Sequence, residues 1–249
     1  MERCGLVSVS FRSLSPEAVI QAASAAGLFS IEWGSDVHAP CDDFERLAEI
    51  VSLQSTYGIR CCSYGTYFRL GVTPIEELPK YIKAAKQLGT NILRLWCGDK
   101  AAEEYSEEQR PALFDACREA AALAEREQVI LCMECHIKSY TQTKEGALEL
   151  MRAVGSPAFR MYWQPNQFRE IEENLAYARL LRDYIIHIHV FQWKEKNRFP
   201  LSDGMEEWKC YLKEISGEHD LLLEFMPDDD VRSLPAEAAT LRKLIGECL

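Results

Sequence analysis

The feature that most constrains this chain is a regular alternation of short apolar runs with longer amphipathic stretches, repeating about every 30 residues. The short runs are typical of strands buried on both faces, and the longer stretches have the spacing of helices. Strands that alternate with helices pair in parallel and are joined by right-handed crossovers. The pattern predicts eight strands, at residues 6–10, 29–33, 59–64, 91–96, 129–134, 159–163, 184–189 and 221–225.

Two folds satisfy eight such units, an open doubly wound sheet and a closed barrel. The open sheet of the dinucleotide-binding kind has a glycine-rich turn after its first strand. This chain has Ser-Phe-Arg-Ser-Leu at residues 10–14 instead. Its 249 residues are the usual size of the barrel, and no low-complexity or Pro/Ser-rich linker divides them. We therefore predict an α/β protein in which residues 1–249 form a single (β/α)8 TIM barrel domain.

Charge and cysteine content limit the partners and the compartment. The net charge of −11 disfavours a nucleic-acid partner, because a phosphate backbone is bound by clustered Lys and Arg. No run of 18 apolar residues occurs, so we expect no membrane association. The ten cysteines are scattered and lack the spacing of a redox or zinc motif, which is typical of reduced core thiols in a cytoplasmic protein.

Three of the apolar runs end on residues that can bind a metal ion. Glu134 ends the fifth run, His189 ends the seventh, and Glu224 lies near the end of the eighth. An ionisable group at the end of a buried strand is costly unless it is paired or coordinated. Because the carboxyl ends of barrel strands form the active site, we expect these three side chains to share one site.

Other polar and aromatic residues fall at the same end of the predicted strands. Their composition is typical of a pocket for a polar, ring-like ligand, because tryptophan and tyrosine rings pack against the CH faces of sugars. Arg94 and Trp96 are two residues apart and therefore lie on the same side of their strand. The candidates for substrate binding are His38, Tyr64, Arg94, Trp96, His136, Asn166, Trp193 and Arg198.

With these residues the sequence resembles the xylose-isomerase-like superfamily, which includes sugar phosphate isomerases/epimerases, ketose 3-epimerases, hydroxypyruvate isomerase and inosose dehydratase. The resemblance spans the whole chain and includes Glu134, His-x-His at 187–189 and Leu-Leu-Glu-Phe at 222–225. It implies one divalent metal ion (Mn, Mg, Co or Zn) held at the ends of strands five to eight. The corresponding positions on this chain are Glu134, Gln164, His189 and Glu224.

One of these positions departs from the commonest pattern of the family, which has an aspartate on strand six. This chain has Gln164 there. A glutamine carbonyl can bind a hard or borderline cation, but it adds no negative charge. The site then has two carboxylates instead of three, so we expect weaker metal binding.

The resemblance implies an isomerase or epimerase that acts on a small sugar or sugar phosphate. The metal ion would polarise a carbonyl or hydroxyl oxygen, while Glu134 and Glu224 would act as general base and general acid. Two alternatives stay open, an inosose-type dehydratase that expels water and a barrel that binds a sugar or polyol without turnover. Relatives often form homo-oligomers, but no segment of this sequence identifies an interface.

Some of these residues also have a structural interpretation. Glu134 can form a buried ion pair with Arg94 from the neighbouring strand, and Gln164 can bond to backbone at the barrel rim. His187 is expected one layer deeper in the barrel than His189.

Two charged segments lie outside the predicted strands. The polar loop that contains Lys194, Lys196 and Arg198 is either solvated or a phosphate site. The aspartates at 228–230 are expected to cap the last helix.

Overall fold

Eight parallel strands close into a barrel in the computed structural model, which describes residues 3–248. Two further strands, β8 (Gln192–Lys194) and β9 (Asn197–Phe199), form a separate antiparallel hairpin. The barrel strands are β1 (Cys4–Val7), β2 (Ser30–Gly34), β3 (Arg60–Leu70), β4 (Ile92–Cys97), β5 (Ile130–Glu134), β6 (Phe159–Trp163), β7 (Ile185–Val190) and β10 (Asp220–Leu223). Their order around the barrel is β1-β10-β7-β6-β5-β4-β3-β2, which confirms the predicted fold class.

Eight α-helices alternate with the barrel strands and cover the outside of the barrel. The first begins where predicted, because Ser15 Oγ accepts a hydrogen bond from the backbone N–H of Ala18 and Pro16 is the first helical residue. Within residues 3–248 no helix is long and apolar enough to cross a membrane. The helices are α1 (Pro16–Ala25), α2 (Phe44–Tyr57), α3 (Leu78–Leu88), α4 (Gln109–Glu127), α5 (Lys144–Val154), α6 (Ile171–Leu181), α7 (Met205–Ile215) and α8 (Leu234–Cys248).

Three segments differ from the sequence prediction. The first strand ends at Val7, and residues 8–11 form a 3₁₀ turn instead of its second half. β3 continues to Leu70, past a register shift between Gly65 and Arg69. The predicted loop after β7 contains the β8–β9 hairpin, whose short, polar strands give little apolar alternation to detect.

The barrel interior is layered. At the amino-terminal end of the strands Asp220 forms an ion pair with Arg60 at 2.5 Å, and His187 lies beside Asp220. An apolar layer that includes Cys132 and Leu222 follows, and Leu222 pairs in register with His189. His187 therefore lies one layer below His189, as predicted.

The cysteines and the aspartate run also follow the prediction. All ten cysteines are free thiols, and eight of them are buried in the core. Asp230 caps the short 3₁₀ turn at Val231–Ser233 that leads into α8, where its side chain accepts a hydrogen bond from the N–H of Arg232.

Candidate active site

A cavity of about 270 Å³ opens at the carboxyl ends of the barrel strands. Its floor is a cluster of buried charged side chains, and its walls are largely aromatic. We call it the active-site cavity. It is lined by Val9, Arg12, Tyr67, Arg94, Trp96, Glu134, Cys135, His136, Ile137, Gln164, Pro165, Asn166, Gln167, Phe191, Trp193, Glu224 and Phe225.

The four positions that the resemblance assigns to a metal ion come together in this floor. Glu134, Gln164 and Glu224 line the cavity, and His189 lies beneath them, fully buried. Nδ1 of His189 lies 2.9 Å from Gln164 Oε1, 3.6 Å from Glu224 Oε2 and 3.9 Å from Glu134 Oε1. The alternation of side chains along a strand directs Glu134 and Glu224 into the barrel, because each lies two residues after an interior residue of the apolar layer.

The opposite ring nitrogen of His189 faces a fourth carboxyl group, that of Glu32 on β2. Nε2 lies 3.4 Å from Glu32 Oε2, and both side chains are fully buried. The same carboxylate oxygen accepts a hydrogen bond of 2.8 Å from Ser63 Oγ, and Ser63 in turn contacts the hydroxyl of Tyr162 at 2.9 Å. Glu32 therefore fixes the ring of His189 so that Nδ1 faces the cavity floor.

Arg94 on β4 joins Glu32 to Glu134. Its Nε donates to Glu32 Oε1 at 3.2 Å, and its Nη1 lies 3.0 Å from Glu134 Oε2. Glu32 and Arg94 can approach each other in this way because Gly65 has no side chain. A Cβ there would lie 2.5 Å from Glu32 Oε1 and 2.9 Å from Arg94 Nη2. The ion pair between Glu134 and Arg94 that the sequence left open is thus present.

The charges of this floor shift one another's proton affinity. Burial by itself lowers the pKa of His189, but the carboxylates of Glu224 and Glu32 raise it to about 9. Burial raises the pKa of Glu224 to about 7, with a further contribution from the charge of Glu134. Burial also acts to raise the pKa of Glu134, but the charges of Arg94 and the two neighbouring histidines, with the hydrogen bond from Trp96, together outweigh it, so that the pKa of Glu134 lies below its ordinary value.

The donor chemistry of the floor can be compared with the needs of a metal ion. Within residues 3–248 no three His, Cys, Asp or Glu side chains meet closely enough to hold one as they stand. The set around Nδ1 of His189 has two carboxylates, the amide oxygen of Gln164 and one imidazole nitrogen.

That set fits a divalent cation, since carboxylate and amide oxygens with one imidazole suit Mg, Mn, Co or Zn. With its pKa raised to about 9, His189 is positively charged at neutral pH among these oxygens, and a bound cation would replace that charge. Glu32 lies beside the other ring nitrogen, Nε2, in the position that carboxylates commonly occupy next to histidines that bind metals. Metal binding stays a prediction on these grounds.

One wall of the cavity is built around Trp96. Its Nε1 donates to Glu134 Oε2 at 2.7 Å, and its ring packs against His136 and Tyr67 with centroid distances of 4.9 and 5.1 Å. The guanidinium of Arg69 covers the ring at 4.5 Å. Trp96 is thereby held rigidly, with His136 beside it in the wall.

Three predicted substrate-binding residues do not line the cavity. His38 is buried, with Nδ1 3.0 Å from Ser8 Oγ and Nε2 3.1 Å from the carbonyl oxygen of Leu14. Tyr64 is fully buried, and its hydroxyl donates to the carbonyl oxygen of Ala39 at 2.6 Å.

Arg198 lies behind the wall. Its guanidinium stacks on Trp193 and Phe225 at 4.7 and 4.8 Å and pairs with Asp229. The structure therefore places His38, Tyr64 and Arg198 outside the cavity lining, in contacts with other parts of the protein, and not at the predicted substrate positions. Arg94, Trp96, His136, Asn166 and Trp193 do line the cavity.

The predicted site omitted Glu32 and two residues at the cavity mouth, Arg12 and Tyr67. Arg12 Nε donates to Asp36 Oδ2 at 2.6 Å, and its Nη2 donates to the hydroxyl of Tyr67 at 2.5 Å. Glu32 had a signal, because it lies near the end of an apolar strand as Glu134 does. Arg12 had none, since it follows the 3₁₀ turn that replaced the end of the first strand.

Solved structures similar to this one span the whole chain at low sequence identity. A probable 3-DHS dehydratase involved in petrobactin synthesis, from Bacillus anthracis, superposes with a TM-score of 0.83 at 19% identity, covering 97% of this chain and 99% of that one. A D-psicose 3-epimerase from Clostridium cellulolyticum H10 gives 0.73 at 13% identity, covering 98% of each chain. A D-allulose 3-epimerase from Methylomonas sp. gives 0.72 at 16% identity, covering 99% and 98%.

No curated protein sequence matches the chain. The family model described as xylose isomerase-like TIM barrel matches residues 20–243. The match spans seven of the eight barrel strands and the whole cavity floor. The chain therefore belongs to the xylose isomerase-like TIM barrel family.

Proposed function

We propose that this protein is a metal-dependent enzyme that moves a proton at a sugar carbon next to a carbonyl group, as sugar and sugar-phosphate isomerases and epimerases do. The observation that carries the proposal is the meeting of Glu134, Gln164, His189 and Glu224 around one point in the cavity floor. The epimerases among the similar solved structures support it.

Each member of the floor has a role in this proposal. Glu134, Gln164, His189 and Glu224 would hold one divalent ion, Mn, Mg, Co or Zn. Such an ion, when bound, polarises a carbonyl or hydroxyl oxygen of the sugar. Glu32 would keep His189 oriented by accepting a hydrogen bond from its Nε2–H.

Glu134 and Glu224 are also the proposed acid and base. In the barrel β5 and β10 are separated by β6 and β7, so the two carboxyl groups enter the cavity from different sides. One accepts the proton that leaves the substrate carbon, and the other supplies a proton on the opposite face. Trp96, His136 and Asn166 line the cavity where they would contact the sugar ring and its hydroxyls.

A dehydratase is the second candidate, favoured by the TM-score of 0.83 to the probable 3-DHS dehydratase. The same floor would remove the proton, and a hydroxyl on the neighbouring carbon would leave as water. The two candidates differ in their products, because an isomerase conserves the formula of its substrate and a dehydratase does not.

A screen tests the proposal directly. Protein stripped with a chelator is reloaded with Mn, Mg, Co or Zn and incubated with ketoses, inososes, their phosphates and 3-DHS, and products are identified by NMR and mass spectrometry. We expect metal-dependent formation of an isomer or epimer. A product lighter than its substrate by the mass of one water molecule would favour the dehydratase. If metal binds without any turnover, the barrel is a binding protein and the enzymatic proposal is wrong.

Replacing Gln164 with Asp is expected to tighten metal binding. The change adds a negative charge beside His189, whose Nδ1 lies 2.9 Å from the amide oxygen of Gln164, and it introduces the aspartate that the family resemblance implies at this position. Calorimetric titration with Mn²⁺ should give an affinity higher by about tenfold or more, since one added charge–charge contact contributes on the order of 1–2 kcal/mol.

Gln142→Asp is the matched control for this substitution. Gln142 is half-buried, its Oε1 accepts a hydrogen bond from the N–H of Lys138, and it does not line the cavity. Its change should leave the Mn²⁺ affinity as it is in the wild type. Equal affinities for wild type and Gln164→Asp would show that Gln164 is not a ligand.

A further inference from the structure

A second, larger cavity adjoins the active-site cavity, and we call it the side cavity. It has a volume of about 730 Å³, against about 270 Å³ for the active-site cavity. It lies between the loop that follows β6 and the β8–β9 hairpin, which are tied together by a hydrogen bond of 2.9 Å from the N–H of Glu195 to the carbonyl oxygen of Gln167. Five residues line both cavities, Pro165, Asn166, Gln167, Phe191 and Trp193.

The two volumes suggest that one part of a ligand lies in the active-site cavity and another part in the side cavity. Small-molecule sites usually measure roughly 300–1,000 Å³. The active-site cavity is just below that range, while the side cavity lies well within it. Since five residues line both cavities, a ligand that extends from the floor cluster past Trp193 would reach the side cavity.

Two polar groups in the shared wall and in the side cavity have no partner. Gln192 lines the side cavity and is only 7% exposed, and its carboxamide makes no hydrogen bond to any residue in the range 3–248. It lies against Gly204, where a Cβ would come within 2.0 Å of its Oε1. Nε1 of Trp193 is likewise buried without a partner in the described chain. Buried polar groups are normally satisfied, so the indole N–H of Trp193 points to a polar ligand, and the unpaired carboxamide of Gln192 at the cavity surface is available to the same ligand.

The lining also indicates the charge of that ligand. Three basic residues (Arg169, Lys194 and Lys196) are balanced by three acidic ones (Glu170, Glu195 and Glu207). This balance disfavours a phosphate group, which needs an excess of positive charge. Amide side chains and the ring of Trp193 suit a neutral, hydroxylated ring instead, with hydrogen bonds at its edge and ring contact at its face.

We propose that the side cavity binds the second ring of a two-unit carbohydrate, so that the substrate is a glycoside and not a free monosaccharide. One sugar unit lies over the floor cluster, and the other lies in the side cavity beside Trp193, in the space that Gln192 also lines. This inference rests on the proposed function for the first unit, but it concerns only the second.

Binding measurements with ketose disaccharides test it. The probes are lactulose, turanose and isomaltulose, which carry fructose linked through three different oxygens, and each is compared with fructose by calorimetry on the manganese-loaded protein. We expect at least one disaccharide to bind about tenfold more tightly than fructose, equivalent to about 1.4 kcal/mol. If all three bind no more tightly than fructose, or do not bind, the inference is overturned.

Two variants connect the gain to the side cavity. Ile171→Trp, at the first position of α6, fills the cavity that Ile171 lines and should remove the disaccharide's advantage while fructose binding stays unchanged. Leu180→Trp on the outer face of the same helix is the control, because Leu180 is 40% exposed and lines neither cavity, and it should keep the advantage. An advantage that survives Ile171→Trp contradicts the inference.

Gln192→Met separates binding from folding. Methionine has nearly the shape of glutamine and removes an amide that makes no hydrogen bond within residues 3–248, so the melting temperature should stay level while disaccharide binding weakens. A fall in both would assign Gln192 a structural role and overturn its role in binding. Failure of the glycoside inference leaves the screen for metal-dependent turnover unaffected, so the two proposals fail separately.

Discussion

Replacing either Glu134 or Glu224 with Gln is expected to lower kcat on the best substrate by about 10²–10⁴-fold. Both side chains line the active-site cavity and are 4% and 6% exposed, so little water can replace them as a proton acceptor. Glutamine keeps the size of glutamate and an oxygen that can bind a cation, but it cannot take up a proton. Steady-state kinetics at saturating manganese, with the metal content of each variant measured, separate a lost proton carrier from a lost metal ion.

Hydrogen exchange assigns each carboxylate to one face of the substrate. In D₂O, a variant that lacks one base should still exchange the substrate hydrogen that faces the other base, without forming the epimer. Glu134→Gln should therefore incorporate deuterium into one epimer of the substrate and Glu224→Gln into the other, as measured by NMR. Glu237→Gln is the control, because Glu237 is a buried carboxyl group on α8 that bonds to the N–H of Leu201, outside the cavity. Wild-type kcat in either active-site variant would contradict the two-carboxylate mechanism.

The parts of this site that could be predicted were those encoded within one strand. Glu134, His189 and Glu224 each lie near the end of an apolar run, and a barrel brings such ends together whatever the loops do. The same reasoning predicted that His187 lies one layer below His189, since residues two apart face the same side. The barrel itself followed from the number of strand–helix units and the chain length.

The parts that could not be predicted depend on contacts between distant strands or on irregular backbone. Glu32 lies near the end of an apolar run and could have been predicted at the site, but its contact with the opposite nitrogen of the His189 ring, 157 positions away, depends on how the closed barrel packs. Tyr64 looked like the end of a strand, but its neighbour Ser63 faces the barrel interior, so Tyr64 packs in the apolar core outside the barrel. Gln192 lies in a hairpin strand of three residues, too short to give a periodic pattern.

Replacing Arg94 with Met is expected to lower the free energy of unfolding by about 3–5 kcal/mol. Arg94 is 3% exposed and contacts both Glu32 and Glu134, so its loss leaves two carboxylates buried with only His189 as a counter-charge. Methionine fills much of the volume of the arginine stem, which keeps the effect electrostatic. Urea unfolding at pH 7 without metal measures the loss.

Arg179→Met is the matched control. Arg179 pairs with Glu214 at 2.7 Å on the surface with a side chain 59% exposed, so its loss should lower the free energy of unfolding by less than about 1 kcal/mol. Adding Glu32→Gln to Arg94→Met should recover part of the stability, because one of the two unpaired charges is then removed. A loss below about 1 kcal/mol in Arg94→Met would mean that water or protonation relieves the buried charges.

The same variant tests how the arginine and a metal ion share the floor. Arg94 neutralises the carboxylate of Glu134 that the proposed site needs, so the two cations compete for one group. Removing Arg94 should therefore strengthen Mn²⁺ binding, and saturating Mn²⁺ should raise the melting temperature of Arg94→Met by more than that of the wild type. Equal shifts in both proteins would show that no cation approaches Glu134. The metal site would then be wrong, while the ion pair and the barrel around it would stand.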